Sequence, residues 1–349
     1  MRRILSLYLC LAASTMLCAE AHAAGWQVTD LGTAGGSAAF AHGINNKGEV
    51  VGQFWTADGT ERRAFYYDGK TTTDIGTLGG TFAMATGINS ASQIAGYSWT
   101  GTPAQTHAFV YRRGKLSDLG TLGGNTVYAN AINTRGDIVG SATLEDNSPR
   151  PAAHAFLYAN GRMSDLGTLG GPSSAAAAIN ELSDVVGSST TAQTNPNTHQ
   201  PYSHAFLYRG GKAIDLGTLG GTQSAATAIN NRGNIVGSSS LPDEQQTHAF
   251  VYRDGKMQDL GTLGGTYSAA TAINNAGQIV GTSRLGGDQV AHAFLYQDGR
   301  MTDLNALPEV IAAGLNIDSV DGINDLGQIA GTAYVGGAAG PHAFVLSPR

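Results

Sequence analysis

Six times this 349-residue chain places a basic residue eleven positions before an aspartate: Arg63 before Asp74, His107 before Asp118, His154 before Asp165, His204 before Asp215, His248 before Asp259 and His292 before Asp303. A further histidine, His342, lies near the end, and an unmatched Asp30 lies near the start. Imidazole and carboxylate are ligands of zinc and agents of general acid–base catalysis, so a metal ring and proton transfer are the two chemistries to weigh. One pair per repeat does not make a ligand set. The constant spacing suits an internal hydrogen bond in each repeat, with His248 and Asp259 diagonal on one face of a hairpin and bridgeable by their side chains. No metal is expected. Two other candidates break the repeat. Two residues before the Ile of each "IN" phrase stand His42, Thr86, Asn130, Ala177, Thr227, Thr271 and Asp321. If the first and last repeats adjoin, His42 and Asp321 could form a general acid–base pair lining a central channel; a structural hydrogen bond is the plainer alternative. No Ser-His-Asp, HExxH or paired-carboxylate motif accompanies them, and the "GTLGG" phrases lack the lysine and following helix of a P-loop, so they read as tight backbone crossings. No cofactor is expected, and the balance leans away from an enzyme.

The elements that would position these residues follow from the repeat, whose period identifies the architecture. "IN" begins at Ile44, Ile88, Ile132, Ile179, Ile229, Ile273 and Ile323, at intervals of 44 to 50 residues. Each unit reads as four short strands, exemplified by "SAATAIN", "QIVGTS", "HAFVY" and "KMQDLG". Asn-x-x-Gly turns join the first two, with Ser92 and Ser183 standing where glycine would relieve strain. Two-residue hairpins join the last two: Asp68-Gly69, Arg113-Gly114, Asn160-Gly161, Gly210-Gly211, Asp254-Gly255 and Asp298-Gly299. Seven such units predict an all-β fold, a seven-bladed β-propeller of four-stranded antiparallel blades. "GWQVTDLG" at the start is a lone fourth strand and "PHAFVLSPR" at the end a third strand without its fourth, so the first is expected to complete the last blade. An open solenoid of the same repeats would leave both ends unpaired.

Binding is expected where the repeats differ. Length changes fall at 143–153, 190–203 and 306–319, all in second-to-third-strand loops or blade crossings, which a propeller gathers on one face. Three residues after the second-strand glycine stand Trp55, Trp99, Thr143, Thr190, Ser240, Arg284 and Tyr334. Trp55, Trp99 and Tyr334, with Phe54 and Tyr97 beside them, form an aromatic arc over three neighbouring blades once the ring closes. Such an arc suits stacking on sugar rings or anchoring a protein; packing into gaps between blades is the competing reading.

Composition agrees. Charged residues are 13% of the chain, against about 25% in ordinary domains, and glycines number 49. This favours short strands and tight turns. Residues 1–23 read as a secretory signal peptide, with Arg2 and Arg3, an apolar run from Ile4 to Cys18 and an A-x-A site at 21–23, leaving residues 24–349 as one domain. The apolar run is too short for a membrane span, and no transmembrane segment is expected. Both cysteines, Cys10 and Cys18, fall in the leader, so the exported chain could form no disulfide. Its net charge, −6 overall, becomes −7 after cleavage. Without a basic run, nucleic acid is not an expected partner; a secreted or periplasmic monomer is.

The phrases "DLGTLGG", "AIN..G.IVG" and "HAFLY..G" resemble the HAF repeat family of bacterial extracellular proteins, over Trp26 to Arg349. Arg63 replaces the first His of the motif, Ala34 replaces Leu in the first "GTLGG", and Asp303-Leu304-Asn305 loses the glycine. The resemblance implies export and a repeat-built fold; it implies no particular activity. The expected function is thus an exported binding scaffold for a glycan or protein ligand. The alternatives are a glycan hydrolase or lyase working in the channel and a self-associating surface component.

Overall fold

A computed structural model describes residues 25–101, 105–145, 152–196 and 198–349. The proposed leader, and 146–151 within one elaborated connection, lie outside them. Among the described residues 28 strands form seven four-stranded antiparallel units. Blades 1 to 6 span 38–76, 79–118, 123–165, 170–215, 224–259 and 264–303. Blade 7 takes three strands from 315–348, and Trp26–Gly32 pairs antiparallel with His342–Pro348 as its fourth. The fold is a β-propeller, and its first strand completes its last blade.

The "HAF" phenylalanine of each blade explains the lateral packing. Phe65, Phe109, Phe156, Phe206, Phe250, Phe294 and Phe344 are all at most 2% exposed. Each joins a cluster drawn from two neighbouring blades. Phe156 of blade 3, for instance, packs with Val127 and Ile138 of its own blade and with Ala95, Ala108 and Leu119 of blade 2. Phe65 of blade 1 packs with Ala330, Ala343 and Val345 of blade 7, so the apolar contacts pass across the seam. Burial of each ring stabilises the ring of blades by roughly 1.5–3 kcal/mol.

The second-strand glycine is sterically required. The first strand carries a bulge opposite it, as between Ala226 and Ala228 in blade 5. This pushes a carbonyl toward the neighbour: a Cβ on Gly237 would lie 1.9 Å from the Ala225 oxygen. The "IN" asparagines then tie the blades together. Asn45 Nδ2 donates to the Asn89 carbonyl at 3.0 Å, Asn89 to Asn133 at 2.8 Å, Asn133 to Asn180 at 3.3 Å and Asn180 to Asn230 at 3.2 Å. Asn230 donates to Asn274 at 3.1 Å, Asn274 to Asn324 at 3.0 Å, and Asn324 back to Asn45 at 2.9 Å. This circle of seven bonds surrounds one mouth of the channel, beside a cavity of about 290 Å³ lined by the preceding isoleucines.

Three local expectations need correction. The first outer hairpin does not turn on Asp68-Gly69. Asp68 N–H donates to the Thr71 carbonyl at 3.2 Å, so Gly69 and Lys70 are the central pair. Gly69 has φ +95° and Lys70 does not have a positive φ, whereas Asn160 and Gly161 are both positive at 53° and 78°. A glycine at the first central position suits a II′-type turn, and two positive φ values suit I′. The connection at 190–203 is in large part strand: Val185–Thr194 and Pro201–Arg209 extend the blade 4 hairpin. The segment at 306–319 holds a short helix, Pro308–Ala312.

Candidate functional site

The recurrent acid–base pairs form inside the blades. The register opposes Phe250 to Asp259, which sets His248 diagonal to Asp259, and His248 Nδ1 lies 2.9 Å from Asp259 Oδ2. The equivalent separations are 2.7 Å for His107–Asp118, 2.8 Å for His154–Asp165, 2.8 Å for His204–Asp215 and 2.8 Å for His292–Asp303. His342 reaches Asp30 of the first strand at 2.9 Å, and in blade 1 Arg63 Nε reaches Asp74 at 2.7 Å. The aspartates also accept a backbone N–H two residues on, as Gly261 N donates to Asp259 at 2.7 Å. Each carboxylate is thus engaged twice within its own outer hairpin. Among the described residues no cluster of three or more His, Cys, Asp or Glu could hold a metal ion.

The proposed pair of His42 and Asp321 is not made. Asp321 Oδ2 instead accepts from Ser319 Oγ at 2.7 Å, and His42 Nε2 is buried with no hydrogen-bond partner. The reason lies in what this position does elsewhere. Thr86 Oγ1 donates to the Ala129 carbonyl, Asn130 Nδ2 to Ala176, Thr227 Oγ1 to Ala270 and Thr271 Oγ1 to Val320, each into the next blade. The backbone turns these side chains toward the neighbouring blade's carbonyls, not toward one another. Desolvation lowers His42 from 6.5 to about 4, so it is neutral near pH 7. Desolvation raises Asp321 from 3.8 to about 6; the Ser319 hydrogen bond opposes this and Asp318 adds to it.

The aromatic candidates divide. Phe54 is 7% exposed and belongs to the core between blades 7 and 1, so it is not available to a ligand. Tyr334 is 52% exposed but takes part in no ring contact among the described residues. Trp55, Trp99 and Tyr97 are linked by residues that the repeat comparison did not single out. Trp55 opposes Arg62 across the second and third strands of blade 1, and the guanidinium lies 4.5 Å from the indole centroid. Arg62 also bridges in parallel to Phe82 in the first strand of blade 2, its guanidinium 5.9 Å from that ring. Phe82 stacks on Trp99 at 5.3 Å and on Tyr97 at 5.8 Å. Tyr97 meets the edge of Tyr128, in blade 3, at 4.8 Å. Its hydroxyl faces Met84 Sδ at 3.2 Å, and desolvation first, then Tyr128, raises its pKa while Arg62 lowers it.

This platform crosses blades 1 to 3. Trp99 is 49% and Tyr128 40% exposed, Arg62 is exposed, and Trp55, Phe82 and Tyr97 are half-buried. Farther round the rim, the crevices between blades 3 and 4 and between blades 4 and 5 are lined by small hydroxyl residues, including Ser141, Ser188 and Ser238 at the position of Tyr97. The rings therefore partly fill an inter-blade gap that is open elsewhere, while Trp99 and Tyr128 remain accessible. Arg62, Phe82 and Tyr128 escaped sequence reading because they occupy three different repeat positions. A usable signal was the sequence Phe40, Met84, Tyr128 where later repeats carry Ala175, Ala225 and Ala269.

No family model matches the chain, and no curated protein matches it in sequence. Among solved structures it is similar to the β-propeller domain of the Trilobed protease from Pyrococcus furiosus, described as having an open velcro topology. The TM-score is 0.52 at 11% identity, over 78% of this chain and 82% of that one. It is also similar to the acylaminoacyl peptidase of Pyrococcus horikoshii, with a TM-score of 0.53 at 12% identity, over 84% of this chain and 49% of that one. The likeness is one of fold. No helix among the described residues is long and apolar enough to cross a membrane.

Proposed function

We propose that the chain is an exported, non-enzymatic propeller of the HAF-repeat type that binds a glycan on the platform across blades 1 to 3. The observation that carries this reading is the exposure of Trp99 and Tyr128 at the two ends of a continuous run of rings through Phe82 and Tyr97. Flat, amphipathic rings held by their neighbours lose little side-chain freedom on binding and suit the apolar faces of sugars. Catalysis in the channel has less support, because the channel-level threonines and Asn130 spend their polar atoms on neighbouring blades and His42 Nε2 is buried without a hydrogen-bond partner.

Affinity electrophoresis against a panel of neutral and acidic polysaccharides tests the proposal. Trp99→Ala and Tyr128→Ala should each weaken binding by about tenfold, the loss of one stacked contact of about 1.4 kcal/mol, with little change in melting temperature. Lower melting with binding intact would make the rings packing residues. Polysaccharide turnover abolished by His42→Ala or Asp321→Ala would favour the enzyme.

A further inference from the structure

Arg62 is exposed and lies over two rings, Trp55 and Phe82, yet it makes no ion pair or hydrogen bond to a carboxylate among the described residues. Its neighbour Arg63 is fully committed, with Nε on Asp74 at 2.7 Å and a terminal nitrogen on Glu61 at 2.8 Å. The other arginines in ion pairs, Arg135 and Arg209, are held by Asp137 and Asp184 within their own surroundings. Ring contacts engage the faces of a guanidinium, whereas its five N–H donors radiate in its plane. The ring contacts at Arg62 place the group over the indole and leave its donors without a carboxylate partner among the described residues. A planar fork held in place beside a sugar-sized aromatic surface is matched to a carboxylate, which it can grip through two parallel hydrogen bonds. The chain as a whole is acidic, at −6, so attraction of an anion here has to come from this local group and not from the long-range field.

Resting on the glycan reading above, we propose that the ligand is a polysaccharide of uronic acids. Its sugar faces lie on Trp99 and Tyr128, and a carboxylate engages the edge of Arg62. The platform alone would accept neutral and acidic sugars alike; Arg62 supplies the discrimination. Lysine at this position would keep the charge but lose the planar fork, so charge and geometry can be separated by substitution.

The test is titration calorimetry of the full chain and its Arg62→Gln and Arg62→Lys variants with polygalacturonate and with carboxyl-reduced polygalacturonate, at low and high salt. Wild type should bind the acidic polymer about tenfold more tightly than the reduced one, a difference of about 1.4 kcal/mol. Arg62→Gln should bring the ratio of affinities for the two polymers to about one, whatever its effect on the reduced polymer alone. Arg62→Lys should recover part of it, and high salt should weaken only the acidic polymer. If Arg62→Gln binds polygalacturonate as wild type does, or wild type does not prefer it to the reduced polymer, carboxylate recognition is overturned while the glycan reading stands. Binding of dextran sulfate but not polygalacturonate would also overturn it. Binding of neither galacturonan polymer would overturn it too, and the neutral members of the panel with Trp99→Ala would then decide the glycan reading separately.

Discussion

His42 and Asp321 occupy one repeat position in blades 1 and 7 and respond to burial in opposite ways. An unfolded histidine is charged below about 6.5, whereas folded His42 stays neutral down to about 4. Between those values the unfolded chain binds the extra proton, so this residue makes stability rise with pH. An unfolded aspartate is ionised above about 3.9, whereas folded Asp321 keeps its proton up to about 6. In that window the folded chain binds the extra proton, so stability falls as pH rises. Each contribution is at most about 3 kcal/mol, and they offset one another in wild type between about pH 4 and 6. Urea unfolding across this range should expose them singly. His42→Gln should become less stable relative to wild type as pH rises from 4 to 6, and Asp321→Asn more stable; variants whose profiles run parallel to wild type would remove both groups from the account. At this scale the sequence was informative about position and not about partnership. The irregular pair could be found by aligning repeats, but the direction of each side chain depends on the first-strand bulge, which no composition of that strand announces. The platform was half legible for the same reason. Trp55 and Trp99 share a repeat position, but their contact runs through Arg62 and Phe82, which do not.

Within a blade, two kinds of glycine carry different costs. Gly237 has an ordinary backbone but faces the Ala225 carbonyl, 1.9 Å from where a Cβ would sit, with Ala226 behind it. The carbonyl belongs to a residue held in register opposite Ser238, beside the bulge, and cannot retreat without opening the first strand pair. Gly277, in the Asn-x-x-Gly turn of blade 6, has open space around it but φ +91°. Gly237→Ala should therefore destabilise by about 3 kcal/mol or more through overpacking, and Gly277→Ala by only about 1 kcal/mol through backbone strain. Denaturant midpoints of the two variants test the order, and equal losses would reject the steric account of the second-strand glycine. Ser92 and Ser183 show how the turn survives without glycine. Both adopt positive φ, 57° and 62°, while Ser92 Oγ donates to Glu49 at 2.7 Å and Ser183 Oγ donates to Asp137 at 3.2 Å. Those bonds join neighbouring blades and offset the strain. The turns and hairpins were readable because their spacing is constant; the steric role of the second-strand glycine was not, because the atom it must avoid lies on another strand.

At the scale of the whole ring, the constant spacings and the missing fourth strand at one end were enough to anticipate a closed propeller, since each repeat can bury its apolar face only against another. What they could not supply is how the seam is held. Three independent sets of contacts meet there. Apolar side chains of blades 7 and 1 share a cluster, Asn324 continues the asparagine circle into Asn45, and Asp325 exchanges bonds with Asn46 on the same turn. The first strand adds a fourth set: Trp26–Gly32 runs along His342–Pro348, Asp30 holds His342, and Glu309 accepts from Trp26 N at 3.3 Å. The first two sets recur at every blade junction and the third at the junctions from blade 3 round to blade 1, whereas the fourth exists only because the chain's start and end share a blade. Removing residues 25–31 should therefore leave the asparagine circle able to form but strip the outer edge of blade 7. That edge would present unpaired N–H and carbonyl groups to other molecules, as exposed edge strands do. The shortened protein should fold, melt about 5 °C lower, as a loss of a few kcal/mol implies for a chain of this size, and associate with rising concentration in sedimentation. Adding a synthetic peptide of residues 25–32 should restore the melting temperature and the monomer together. If the shortened chain instead melts like the full one and stays monomeric, closure resides in the blade junctions alone and the first strand is dispensable.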